Sequence, residues 1–164
     1  MRILGIDPGI ARTGWGIIEV QRAKCKGQNY ACIETSASLR SEQRLKSIYD
    51  SVINIIKEHK PNVLAVEELF FNTNAKTAFV VGQARGVVLL AASKSNIPVA
   101  IYTPLQVKIA VTGYGRAKKS QIGQMVKTIL KLEKIPKPDD TSDALAVAIT
   151  HAFSQKMRGL LSIT

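Results

Sequence analysis

Apolar runs and polar breaks divide this chain into elements of two periods. "RILGID", residues 2–7, is an apolar strand that ends on an acid; Pro8-Gly9 interrupts it, and a second strand-like run covers 13–20. A third strand is read over about 29–36, after a turn around Lys26-Gly27, so the opening forms an antiparallel meander. From 41 to 59 the period changes, with Leu45, Ile48, Val52, Ile55 and Ile56 recurring at helical spacing until Pro61 resets the chain. "NVLAVEEL" is a short apolar fourth strand, followed by a loop through Phe70, Phe71 and Asn72 and a long helix over about 74–95. "PVAIYT" supplies a fifth strand ending at Pro104, and the last third is helical near 104–111, 118–132 and 140–156, interrupted at Gly113-Tyr114-Gly115. The order predicts an α/β domain with a central five-stranded mixed sheet, three antiparallel strands plus two further strands, flanked by helices. No repeat or linker divides residues 1–164, so one domain is expected.

The same alternation places the acids. Side chains two apart on a strand share a face, so Ile3, Gly5 and Asp7 form one row and Val63, Ala65 and Glu67 another, each with a small residue two before the acid. Glu68, the next residue, stays open as an alternative to Glu67, as does Asp139 beside Asp140. Asp140 and Asp143, three apart near the start of the last helix, are neighbours on one helical face. Each acid also has a plain structural reading: Asp7 as a turn residue before Pro-Gly, "DDTSD" as a helix start whose acids meet orphan N–H groups and the positive end of the dipole. A charge at the end of a buried strand is nevertheless costly without a partner. Several carboxylates drawn together become favourable when hard divalent cations lie between them, and two such ions serve the attacking and leaving oxygens in phosphodiester hydrolysis.

Charge indicates what meets that centre. Lys and Arg number 23 against 12 Asp and Glu, a net +11, the balance of a protein that binds a polyanion. Between 69 and 132 there is no acid, while Lys76, Arg85, Lys94, Lys108, Arg116, Lys118, Lys119, Lys127 and Lys131 are all basic. A basic surface around an acidic metal centre describes a nuclease: lysines hold phosphates and carboxylates hold the metal. Phe70 and Phe71 lie in a loop rather than a periodic stripe, a setting open to base stacking as well as to core packing. His59 and His151 are read as structural, Cys25 and Cys32 as reduced thiols, and the absence of an 18-residue apolar run points to the cytoplasm.

Four blocks in order, "ILGIDPGIARTGWG", "AVEELFFNTNAKTAFVVGQARGV", "VKIAVTGYGRAKKSQI" and "DDTSDALAVAITH", resemble the RuvC family of bacterial Holliday-junction resolvases, within the RNase H-like superfamily. The resemblance implies a nuclease that cuts four-way DNA junctions by symmetric paired nicks, leaving 5'-phosphate and 3'-hydroxyl ends. It places the family's catalytic and metal-binding carboxylates on Asp7, Glu67, Asp140 and Asp143, with two Mg2+ ions and Mn2+ as a substitute. Phe70 takes the base-stacking position, Lys108 and Lys119 the positions that assist DNA contact or catalysis, and a RuvA–RuvB branch-migration complex is implied as partner. Lys76, Arg85, Arg116 and Lys118 are further candidate DNA contacts from the basic stretch.

The long helix carries apolar residues on most sides, and Ala78, Gly82 and Gly86 form a small-residue row permitting close approach, so a two-fold homodimer is expected. Two rival functions are a non-catalytic junction-binding protein and a fragment of an actin-like or sugar-kinase phosphotransferase. The latter needs a second lobe and a nucleotide-binding glycine motif that the sequence lacks.

Overall fold

The computed structural model describes residues 1–21, 24–68 and 75–161, with the side chains of 75–77 and 156–161 outside that description. In chain order the elements are β1 (Arg2–Asp7), β2 (Arg12–Gln21), β3 (Lys24–Glu34), α1 (Ser41–His59), β4 (Val63–Glu67), α2 (Ala75–Lys94), β5 (Val99–Tyr102), α3 (Pro104–Thr112), α4 (Lys119–Leu130) and α5 (Asp139–Leu161). The sheet order is β3-β2-β1-β4-β5. β1, β2 and β3 pair antiparallel, while β4 and β5 add parallel to β1. The mixed five-stranded sheet expected from the sequence is therefore present.

The strand rows sort the core into two layers. Ile3, Ile18, Val63 and Ala65 face α3, α4 and α5, whereas Leu4, Ile6, Ile17, Leu64 and Val66 face α1 and α2. α5 is buried nearly all round, from Ala144 to Ile149, as befits a helix enclosed by the sheet and two other helices. Among the described residues no helix is long and apolar enough to cross a membrane.

Two boundaries depart from the sequence reading by five residues: α5 continues to Leu161 rather than ending at 156, and the start of β3 moves. β3 begins at Lys24 rather than about 29, so Lys26 and Gly27 lie within the ladder, paired with Glu19 and Ile18. The reason is position. β3 is an edge strand, mostly exposed, and "KCKGQNYACIE" needs no apolar alternation to stay paired on its inner side. A register irregularity between Gly16 and Ile18 further shifts its pairing.

The close seat of α5 depends on missing side chains. A Cβ on Gly5 would overlap the carbonyl oxygen of Ala144, and one on Gly14 would overlap that of Asp140. Glycine in these strands lets the helix backbone lie directly on the sheet. That contact determines where the first turn of α5 delivers its acids.

Candidate active site

β1 and β4 are adjacent and parallel, with Ile6 opposite Val66, so their final residues Asp7 and Glu67 emerge side by side at the same sheet end. α5 starts at that end, and its first turns carry Asp140 and Asp143. The Pro8-Gly9 turn beyond Asp7 is fastened by Thr13, fully buried, whose hydroxyl donates to the Gly9 carbonyl at 2.7 Å. The sequence reading passed over Thr13, as it did Gly14. The available signal was a glycine inside a strand, which marks a close backbone approach.

The electrostatics show that the acids meet. Asp7 is pushed up from 3.8 to about 7, first by burial and then by the charges of Asp143, Asp140 and Glu67, against a lowering by Lys119. Burial also raises Glu67, with Asp143 adding to the rise and Lys108 and Lys119 opposing it. Asp143 is raised by burial although Lys119 donates to it, Nζ to Oδ2 at 2.7 Å. Glu68 is exposed, and Asp139 turns outward to pair with Lys137 at 2.6 Å, which lowers its pKa. The structure thus separates Glu67 from Glu68 and Asp140 and Asp143 from Asp139.

The two lysines arrive by short routes. Thr103 caps α3 through a reciprocal pair with Gln106: its Oγ1 accepts from Gln106 N at 3.2 Å, and its own N–H donates to Gln106 Oε1 at 2.8 Å. Pro104 then starts the helix, and Lys108 lies one turn in, half-buried and within electrostatic reach of Glu67. Gly113 closes α3 at φ +73°, a left-handed conformation that suits glycine, and the chain returns so that Lys119 opens α4 beside Asp143. Lys118 and Arg116 are exposed on this α3–α4 connection. Arg85 is not brought to the acids: it sits half-buried in the middle of α2, on the opposite face of the sheet from α5. Phe70 lies outside the described residues, as does the side chain of Lys76.

Asp7, Glu67, Asp140 and Asp143 offer oxygen donors only, which matches a hard divalent cation. Like charges gathered without a counter-ion raise one another's pKa values, as Asp7 records. Among the described residues no three acidic, histidine or cysteine side chains close tightly enough to hold an ion unaided. Lys119 occupies one oxygen of Asp143, and Mg2+ ordinarily completes its shell with waters and substrate phosphate. The donor set fits. Cys32, across the ladder from Gly14, has its thiol pKa pushed up by burial and then by Asp140 and Glu34, so it is a poor nucleophile.

Residues 3–151 match the family model for Crossover junction endodeoxyribonuclease RuvC. The Desulforamulus reducens protein of that name is 59% identical over 152 residues, 93% of each chain. That of Alkaliphilus oremlandii is 53% identical over 163 residues, 99% of each. Among solved structures, Thermus thermophilus RuvC aligns with a TM-score of 0.88 at 38% identity. T. thermophilus RuvC in complex with Holliday junction substrate aligns at 0.91 and 39%, and both cover 96% of each chain. One family is matched along nearly the whole length, and the protein belongs to it: the RuvC family of crossover junction endodeoxyribonucleases.

Proposed function

We propose that this protein resolves four-way DNA junctions by paired, metal-dependent hydrolysis of phosphodiester bonds. The observation that carries the reading is the buried carboxylate cluster around Asp7, set at the carboxyl ends of β1 and β4 and flanked by Lys108 and Lys119. Two Mg2+ ions, replaceable by Mn2+, are held in this reading by Asp7, Glu67, Asp140 and Asp143. Bound there, divalent metal supplies positive charge for the attacking and departing oxygens. The protein's own groups do the rest. Lys108 and Lys119 set the phosphate in place, Arg116 and Lys118 extend the basic track, and Phe70 stacks on a base at the junction centre. Water adds to phosphorus, the 3' oxygen departs and takes a proton, and the ends are 5'-phosphate and 3'-hydroxyl.

Cleavage of a synthetic four-way junction, compared with linear duplex of the same sequence, tests this. Paired nicks confined to the junction and lost on chelation are expected. Junction binding without nicking would return the non-catalytic reading. Lys119→Ala should weaken junction binding and flatten its salt dependence by about 0.9 in the log–log slope, the effect of one lost phosphate contact. An unchanged slope would make Lys119 a partner of Asp143 alone.

Paired nicking calls for two sites, and α2 supports a homodimer. Phe79 and Leu90 are 68% and 50% exposed on the face opposite buried Ala84, Val88 and Ala91. A Cβ on Gly82 or Gly86 would meet nothing within 4 Å. Edge strand β5 adds exposed Val99 and Ile101, apolar surface that a second copy would cover. Leu90→Arg should shift the sedimentation of the protein from dimer to monomer and uncouple the two nicks, leaving single-strand cuts. The reading further comprises one nuclease domain over 1–164, a cytoplasmic location and, through the family resemblance, a RuvA–RuvB branch-migration partner.

A further inference from the structure

Glu67 owes its position to an unequal ladder. β1 pairs with β4 only as far as Val66, whereas β5 pairs one residue further, with Tyr102 opposite Glu67. The next amide, Glu68 N–H, donates to the Tyr102 carbonyl at 2.7 Å. Tyr102 is therefore the strand neighbour that carries the end of β4. It is also the residue before Thr103, the cap of α3, so the helix bearing Lys108 hangs from the same point.

β5 is four residues long and lies at the sheet edge, with nothing paired to its outer side among the described residues. Such a strand needs an anchor if its end is to hold a catalytic carboxylate steady. The side chain of Tyr102 supplies one. It faces the α5 side of the sheet with Ala100, and its hydroxyl shares a 2.8 Å hydrogen bond with Nδ1 of His151. The rings meet edge to face with centroids 6.0 Å apart. His151 is buried, 5% exposed, on α5, eight residues or about 12 Å along the axis beyond Asp143.

We infer that Tyr102 is a positioning residue: its bond to His151 ties the strand end that carries Glu67 to the helix that carries Asp140 and Asp143, and so sets the spacing of the acids across the site. The inference rests on the catalytic reading of those acids and adds a pair outside them. His151 thereby has a task beyond filling the core, since a bond at the second turn past Asp143 fixes both the height and the rotation of α5 against β5.

Tyr102→Phe deletes one hydroxyl and keeps the ring. His151→Asn keeps a hydrogen-bonding group near the Nδ1 position, and His151→Leu keeps only bulk. Tyr102→Phe and His151→Leu should lower kcat on a four-way junction roughly tenfold, the usual effect of losing a group that orients a ligand, with KM within twofold. His151→Asn should restore most of the rate. Mn2+ binding followed by paramagnetic resonance without DNA should weaken several-fold in the first two variants and recover in the third. Thermal melting establishes that each variant is folded at the assay temperature. A folded Tyr102→Phe protein with wild-type kcat and wild-type Mn2+ affinity would overturn the inference. Failure of the wild type to cut a junction would overturn the proposed activity, and the Mn2+ titrations would still decide whether the pair sets the acid spacing.

Discussion

Asp7→Asn should reduce junction cleavage by on the order of 10³-fold or more while junction affinity stays within about twofold, because a charge that stabilises the transition state is lost and the basic surface is not. The same substitution should make the protein more stable in chelator at pH 8. Asp7 binds its proton more tightly folded, at about 7, than at its ordinary 3.8. Between those values the native state holds a proton that the unfolded chain has released, so stability falls as pH rises from about 4 to 7 and stays low above. The interval corresponds to on the order of 4 kcal/mol. Asn carries no charge and removes that loss. Urea midpoints of the two proteins at pH 4 and pH 8 measure it: the wild type should drop across the range and the variant should drop less, since Glu67 and Asp143 shift in the same direction and keep part of the slope. A variant as active as the wild type would remove Asp7 from the chemistry, and one equally pH-sensitive would remove it from the buried cluster.

Gly14→Ala is expected to have the second largest effect. The new methyl would occupy the carbonyl oxygen and amide nitrogen region of Asp140 and Thr141, backbone atoms that cannot rotate aside. Either β2 bends or the first turn of α5 lifts. Overpacking of this kind costs about 1–3 kcal/mol and at times more, and the displaced atoms belong to Asp140, one of the metal-holding acids in the proposed reading. Urea unfolding should show the lower midpoint, and cleavage by the protein still folded should fall at least roughly tenfold.

Much of this site is written in local pattern. Strands that end in acids, and acids three apart at a helix start, are short-range signals that brought Asp7, the Glu67–Glu68 pair and the Asp139–Asp143 group forward, and the family resemblance chose among them. The edge strand β3 was misplaced at its start for the opposite reason: it is mostly exposed, so its polar first half resembles a loop. Thr13, Gly14 and the Tyr102–His151 pair were out of reach because their roles lie in contacts between distant segments. His151 and Tyr102 are separated by 49 positions. Nothing near either one in the chain announces the other.

The glycines beneath α5 have one further consequence. A helix laid backbone-to-backbone on β1 and β2 fixes where the first turns of α5 hold Asp140 and Asp143 relative to Asp7. In the proposed reading it is the DNA that deforms to reach these acids, and a flexible branch point does so more cheaply than continuous duplex.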